Sequence, residues 1–246
     1  AEILKGRPVV LGYYFSGQDD AGKSGVLPPP LFNLADFRGR PVTFTHWKGY
    51  GANLAEFQET TASAGHFNPL VDFDGISRRV PLLVEHEGEC YEALSLAMLR
   101  LKLGNAAIRP GFPDERSGME WLEITSASGT LRIPVDDQVA ALIPYRGPER
   151  SFPYISAVDV LRGSVDAQKL EGRIVVVGTS APGLMDLRAT PVGATYPGVE
   201  IHANLLHNIL NRRFLHRSTV ETTIVLIFVF AFGAAYLLWK TPGFSA

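Results

Sequence analysis

The order of apolar and polar residues predicts short strands and turns in the first third of the chain. Residues 8–15 and 42–47 are rich in β-branched and aromatic side chains, which is typical of buried strands. Residues 54–62 predict a short helix. Residues 71–75 predict a turn around Gly75, and this turn leads into a further strand over 79–85.

The middle of the chain predicts one helix and more strands. Residues 91–103 contain good helix formers, and Gly104 stands where a helix stop is expected. Residues 121–125 and 130–133 flank a Ser-Gly pair and predict a hairpin, and residues 139–145 predict another strand.

The last third predicts a helix, a buried strand and a second helix. Ser156 is placed to cap a helix over 157–162, the apolar run 173–178 predicts the strand, and 199–210 carries apolar residues on one helical face. This order is typical of parallel pairing. The fold class predicted for the chain is therefore α/β: a mixed, partly parallel sheet covered by helices, with parallel pairing in the C-terminal half.

One transmembrane helix is predicted after this domain. Residues 222–239 contain no charged side chain, and as a helix they would span about 27 Å, close to the thickness of a bilayer. The predicted organisation is a folded domain over 1–211, a basic linker over 212–221, the span, and a juxtamembrane end over 240–246. The arginines before the span favour a cytoplasmic domain, but long folded segments cross membranes largely regardless of charge.

Composition excludes some functions. The net charge is -2 and the chain has no basic cluster, so no nucleic-acid partner is predicted. Cys90 is the only cysteine, which excludes an internal disulfide and a cysteine-based metal site. Because the first residue is not Met, the chain is expected to be a piece of a longer protein, with the N-terminal part of the domain outside it.

The segment from Gly17 to Ser24 matches the phosphate-loop pattern and follows a predicted strand. A working phosphate loop opens directly into a helix, whereas here three prolines follow at 28–30. Asp19 and Asp20 would also place negative charge beside a nucleotide. An exposed polar loop is favoured, and a nucleotide-binding protein that uses this segment is the alternative.

The segment that starts at Gly178 and contains Ser180 is similar to a hydrolase nucleophile elbow. Asp186 and His202 follow in the order of a triad, but Pro182 replaces the second glycine and no helix follows directly. A membrane-tethered hydrolase that uses Ser180 is the second alternative. The favoured interpretation is a loop at the carboxyl end of a strand, where α/β folds tend to bind ligands. The candidate ligand-binding residues are Thr179, Ser180, Asp186, Arg188 and Thr190.

Two further patterns could indicate metals. Asp72 and Asp74 lack the later glutamate of a calcium loop, so a turn with Gly75 at positive φ is predicted instead. His202 and His207 lie on different faces of the last domain helix, and one exposed and one interfacial histidine are predicted. No metal, cofactor or catalytic residue is predicted.

Four segments together resemble the second type of CHASE domain. They are residues 71–82, 151–161, 175–184 and 196–206, and the resemblance covers roughly residues 8–210. The last two segments are the most specific. The family usually has a further upstream segment with its own span, and several downstream spans where this chain shows one.

The resemblance implies a function as well as a fold. Such domains are sensors outside the membrane in bacterial receptors, followed by spans and by a cytoplasmic cyclase, phosphodiesterase or kinase. The implied partners are an unknown extracytoplasmic ligand or protein and the cytoplasmic output domain of the same protein. The lipid bilayer is the partner expected from the apolar span, and a homodimer, if one forms, is expected to depend mainly on the globular domain. The implied mechanism is a population shift in which a bound ligand biases the last helix and the span. The region itself is expected not to be an enzyme.

Overall fold

The structure is a computed structural model, and it describes residues 1–18, 22–127, 129–179, 186–216 and 220–241. The chain divides into two units, Ala1–Leu215 and His216–Ala246. The first unit is built from short strands and a few helices. Its helices are α1 Ala55–Gln58, α2 Leu94–Lys102, α3 Ala157–Leu161 and α4 Gly198–Leu210, with 3-10 turns at Glu2–Leu4, Leu34–Phe37 and Ala167–Lys169.

The strands group into several small sheets. In chain order they are β1 Val10–Ser16, β2 Lys23–Ser24, β3 Phe32–Asn33, β4 Thr45–His46, β5 Gly49–Gly51, β6 Ser63–His66, β7 Leu70–Val71, β8 Ser77–Pro81, β9 Leu83–His86, β10 Glu89–Glu92, β11 Ala107–Gly111, β12 Trp121–Ser126, β13 Gly129–Pro134, β14 Ala140–Leu142, β15 Leu187–Thr190 and β16 Gly193–Pro197.

Among the strands that the structure describes, parallel pairing is confined to those that precede α2, where antiparallel pairs also occur. β1 pairs in parallel with β6, β2 with β5, and β4 with β9, and all these strands precede α2. In the described later part of the chain the pairs are antiparallel: β11–β12–β13, β14 with β8, and β15 with β16. The fold is α/β with mixed, partly parallel sheets, as predicted, but the parallel pairing predicted for the C-terminal half is wrong.

The main core lies between α2, α4 and the strands that face them. Leu96 and Leu99 of α2 are fully buried, and so are Ile201 and Leu205 of α4. Each pair lies three or four residues apart, which places both members on one face of its helix. The single apolar face expected for residues 199–210 is therefore the face that packs into the core.

Several predicted elements are confirmed with shifted ends. The strand over 8–15 is β1, the hairpin is β12 and β13, and Gly75 and Gly104 both have positive φ. The predicted central helix starts later than expected, at Leu94, because Tyr91 and Glu92 belong to β10 instead. The strands predicted over 42–47 and 139–145 are reduced to β4 and β14.

The buried strand predicted over 173–178 is wrong. This run forms no strand, and Val175 and Val177 are 54% and 85% exposed. The preceding helix α3 contributes no buried residue, and Ser156 at its start makes no side-chain cap. A strand needs a hydrogen-bonded neighbour, and none of the described residues pairs with this run. The apolar composition of residues 173–178 is therefore not sufficient to predict a strand.

The second unit contains α5, Val220–Lys240. Residues Thr222–Lys240 have a mean hydropathy of 2.1, and none of the window is buried inside the structure. A helix of 21 residues extends about 31 Å. This helix is long and apolar enough to cross a membrane, in agreement with the predicted span.

Candidate functional site

Helix α4 is the last element of the first unit, directly before the segment that leads to α5. Of the helices and strands in the domain, α4 is the nearest to the apolar helix along the chain. A change in how α4 packs would therefore reach that helix through the short segment between them. Three sets of contacts hold α4: one at its N-terminus, one along a polar stripe, and one in the interior. These contacts define the candidate site.

The N-terminus of α4 is held by Asp186. The backbone N–H of Gly198 donates to the Asp186 carbonyl at 2.8 Å, and the Asp186 carboxylate lies beside the first turn of α4, close to Gly198. The carbonyl satisfies a free helix N–H, and a carboxylate at this position interacts favourably with the helix dipole. A Cβ on Gly198 would lie 2.2 Å from Asp186 Oδ1, so only glycine fits there without displacing the cap.

The electrostatics of this contact balance two effects. Burial raises the pKa of the Asp186 carboxyl, and the nearby Arg188 guanidinium lowers it. One guanidinium N–H of Arg188 donates to the Leu187 carbonyl at 3.2 Å. Asp186 thus lies directly before β15, and Arg188 lies within that strand.

A polar stripe on α4 begins at Glu200, which is fully buried. Its two carboxylate oxygens accept hydrogen bonds from the backbone N–H groups of Arg150 and Ser151, at 3.0 and 2.9 Å, and from the Tyr154 hydroxyl at 2.7 Å. A buried carboxylate needs such donors because water cannot solvate it. Glu200 therefore anchors the loop before α3.

The same stripe continues one and two turns later at Asn204 and Asn208, both buried. Asn204 accepts from the Arg146 N–H at 2.9 Å and donates to the Tyr196 hydroxyl at 2.8 Å. Asn208 donates to the Pro144 carbonyl at 2.7 Å. The backbone of residues 144–151 is not paired with a strand. Its polar groups bond instead to side chains that lie four residues apart on one face of α4.

The interior contact of α4 is made by His202. This side chain is fully buried, as is that of His66 in β6, and neither ring makes a hydrogen bond that meets the geometric criteria within the described part of the chain. Burial lowers the pKa of His202 to about 4. The prediction of one exposed and one interfacial histidine is thus half wrong: His207 is half-buried against Phe152, with ring centroids 5.7 Å apart, and His202 lies in the core.

The residues predicted to bind a ligand are only partly brought together. Asp186 and Arg188 lie beside the start of α4, and Thr179 is exposed at the end of the unpaired apolar run. Thr190 is buried, and its hydroxyl donates to the Gly193 carbonyl at 3.1 Å inside the β15–β16 hairpin. Ser180 lies outside the described residues.

The phosphate-loop alternative loses its structural basis. Residues 19–21 lie outside the described part of the chain, but Lys23 and Ser24 form strand β2, which pairs in parallel with β5. A strand does not present the helix N-terminus that holds phosphates. The Lys23 ammonium forms an ion pair with the Glu87 carboxylate.

The hydrolase alternative also lacks structural support. His202 is buried in the core without a hydrogen bond to a described residue, and the Asp186 carboxylate lies beside Gly198, so the hydrogen bond from histidine to carboxylate that a triad needs is not formed. The Asp72–Asp74 segment is a turn with Gly75 at φ +81°, as predicted. Its carboxylates are occupied by arginines: Arg78 contacts Asp74 at 2.7 Å, and Arg79 contacts Asp72 at 2.8 Å.

The sequence predicted a role for Asp186 but not for the polar stripe on α4, and it did not predict the burial of His66 and His202. The stripe had a visible signal, since Glu200, Asn204 and Asn208 are polar residues at four-residue spacing on an otherwise apolar helix. His66 had none, because it stands alone in a Gly-His-Phe segment far from His202 in sequence.

These features define an α/β domain whose last helix is packed into its core and is followed in sequence by an apolar helix of membrane-spanning length. A family model described as the CHASE2 domain matches residues 1–237. The chain therefore belongs to the CHASE2 domain family, a family of extracytoplasmic sensory domains without catalytic activity. No curated protein and no solved structure matches the chain.

Proposed function

We propose that this chain is the sensing part of a bacterial transmembrane receptor, with residues 1–211 outside the cytoplasm and α5 crossing the membrane. The observation that carries the proposal is the placement of α4. This helix is built into the core through Ile201 and Leu205, and it is the last element before the linker 212–221. A stimulus that changes its packing reaches the span through that linker.

The stimulus enters, in this proposal, at the loop and hairpin over 179–196. Its polar residues are Thr179, Ser180, Asp186, Arg188 and Thr190. Asp186 links this region to α4 because its backbone carbonyl accepts from the Gly198 N–H and its carboxylate lies beside Gly198. A ligand or protein partner that competes for Asp186 or Arg188 would free the first turn of α4. The output is a cytoplasmic cyclase or kinase of the same protein, and the receptor is active as a homodimer.

The coupling of this cap to output is tested with one glycine substitution. In a fusion of the chain to a cytoplasmic adenylate cyclase, Gly198→Ala is expected to change cyclic AMP production at least twofold. The added methyl group would lie 2.2 Å from Asp186 Oδ1 and must displace the cap, whereas alanine itself favours the helix.

The matched control is Gly193→Ala. Gly193 lies in the adjacent hairpin, and nothing lies within 4 Å of the position where its Cβ would stand. This variant is expected to leave output unchanged. Equal output from both variants and from the unmodified chain would contradict the proposed route through α4.

The sidedness of the domain is tested separately. A reporter that is active only in the cytoplasm, inserted near Tyr145, is expected to stay silent in cells. An active reporter at this position would place the domain inside the cell and would refute the extracytoplasmic part of the proposal. A second copy of the reporter after Ala246 is the control, and it is expected to be active because one span separates the two positions.

A further inference from the structure

A surface cavity lies between the segment that follows α4 and the strands β12 and β13. Its volume is about 490 Å³, which is within the range of small-molecule sites. The residues that line it come from both sides, and all belong to the first unit. They are Glu123, Thr130, Leu131, Arg132, Arg212 and Phe214.

The way in which α4 ends brings Arg212 to this cavity. The N–H groups of Arg212 and Arg213 donate to the carbonyls of Ile209 and Asn208, at 3.0 and 2.9 Å, and this pair of bonds is a Schellman motif. Arg212 has a φ of +53°, a conformation that glycine adopts most easily. An arginine at this turn costs some stability, and it places a guanidinium group in the cavity.

The lining of the cavity carries a net positive charge. Arg132 donates through Nε to the Glu123 carboxylate at 2.9 Å, and its guanidinium lies 4.9 Å from the centre of the Trp121 ring. The other guanidinium N–H groups of Arg132, and all those of Arg212, make no hydrogen bond with a described residue. Glu123 is the one carboxylate among the described lining residues. One positive charge therefore remains after this ion pair.

The chemistry of the lining selects a phosphate group that carries an apolar part. Two guanidinium groups with free donors match an anion with several oxygens, because arginine presents its N–H groups in pairs. The Thr130 hydroxyl adds a further donor. Leu131 and Phe214 are half-buried against the main core and form an apolar wall. A free phosphate ion leaves this wall without a contact, whereas the glycerol and acyl groups of a phospholipid cover it.

The position of the cavity in the chain also favours a lipid. Phe214 precedes Val220, the first residue of α5, by six positions, so the chain between them extends at most about 21 Å. The cavity is thus tethered near the membrane surface from which the span begins. Arg213 and Arg217 in this tether attract anionic lipid to the same surface.

We propose that this cavity binds the phosphate group of an anionic phospholipid. Arg132, Arg212 and Thr130 donate to the phosphate oxygens, and Leu131 and Phe214 contact the apolar part of the lipid. The bound lipid joins the end of α4 to β12 and β13 at the membrane surface. This inference goes beyond the proposed function, because it depends neither on the side of the membrane nor on signalling.

Titration of the full chain in micelles of a neutral detergent tests the ligand. The probe is dihexanoylphosphatidylglycerol, and binding is measured by calorimetry after subtraction of the heat with empty micelles. Inorganic phosphate and dihexanoylphosphatidylcholine, which has no net charge, are titrated in parallel. Phosphatidylglycerol is expected to bind at least about tenfold more tightly than either. Its affinity is expected to fall when salt is added, because salt screens exposed charges.

Three variants assign the binding to the cavity. Arg212→Gly removes a guanidinium and supplies the residue that the positive φ favours. It is expected to weaken phosphatidylglycerol binding about tenfold without lowering the melting temperature. Arg132→Gln is expected to show a similar loss of affinity. Arg213→Gln is the matched control, since Arg213 is exposed and equally near the span but does not line the cavity. Its affinity is expected to equal that of the unmodified chain.

Three results would overturn this inference. An equal loss of affinity in Arg212→Gly and Arg213→Gln would mean that the charge of the juxtamembrane segment attracts the lipid without a specific site. Inorganic phosphate that binds as tightly as phosphatidylglycerol would exclude a lipid as the selected ligand. Equal binding of the two lipids would exclude recognition of the anionic headgroup. If Arg212→Gly does not fold, Arg132→Gln and Arg213→Gln decide by the same comparison.

Discussion

The surroundings of α4 and the segment over 153–179 differ sharply in how they use apolar residues. Leu205 of α4 is 1% exposed, whereas Leu161 of α3 is 86% exposed. Both leucines lie on helices, but α4 packs against α2 and the core strands while α3 buries nothing. An apolar helix residue stabilises a fold only where another element covers it.

The same contrast separates two apolar runs that were both predicted as strands. The run over 79–85 becomes β8 and β9, which pair with β14 and β10. The run over 173–178 has similar composition but no ladder partner among the described residues, and its backbone stays irregular. Composition thus predicts which segments can form strands, and a neighbouring strand decides which of them do.

The largest effect is expected from replacing the two leucines, because only one of them is buried. Leu205→Ala is expected to lower the free energy of unfolding by about 3 kcal/mol, because it removes buried atoms and leaves a cavity. Leu161→Ala removes the same atoms from an exposed site and is expected to change the free energy of unfolding by less than about 0.5 kcal/mol. Urea unfolding of the full chain in micelles measures both. A large loss for Leu161→Ala would mean that α3 is covered in solution.

A smaller loss of stability is expected when the contact between Glu200 of α4 and the loop before α3 is removed. Glu200→Ala removes the acceptor of the Arg150 and Ser151 N–H groups and of the Tyr154 hydroxyl. It is expected to lower the free energy of unfolding by about 2 kcal/mol, measured by urea unfolding. Glu171→Ala is the control, since Glu171 is exposed beside the unpaired run, and no change is expected. An unchanged free energy of unfolding in Glu200→Ala would show that the loop before α3 does not depend on α4.

The smallest effect is expected at Lys23, on the exposed strand β2. Its ion pair with Glu87 lies at the surface, where solvent screens such pairs. Lys23→Ala is expected to leave the melting temperature unchanged within about 2 °C. ATP is expected not to raise the melting temperature of either form. A rise with ATP that is lost in the variant would restore the phosphate-loop interpretation.

The elements that were predicted well carry their own evidence in sequence. Strand β1 and helix α4 are long and strongly patterned, and the β12–β13 hairpin is marked by its Ser-Gly turn. Tyr91 and Glu92 were assigned to a helix from their neighbours, but they lie in β10 because Tyr91 pairs with Val84 of β9. That pairing is a tertiary contact, which local propensity does not contain.

The candidate site shows the same limit. Asp186 was found because it follows an apolar run in a loop, although its role as a cap of α4 depends on a contact with Gly198. His66 and His202 are both buried, and their burial depends on tertiary packing around β6 and α4. Polar pairs of this kind leave no local pattern.

The dependence of the core on α4 has a consequence for the order of events during synthesis. Leu96 and Leu99 are covered by the helix that contains Ile201 and Leu205, which the ribosome makes much later. The domain therefore remains incomplete, with an apolar surface open to chaperones, until its last helix has emerged. Because residues 222–239 follow almost at once, completion of the fold and emergence of the apolar helix fall close together in time. A nascent chain that stops before α4 is expected to be a substrate for proteases rather than a shorter functional domain.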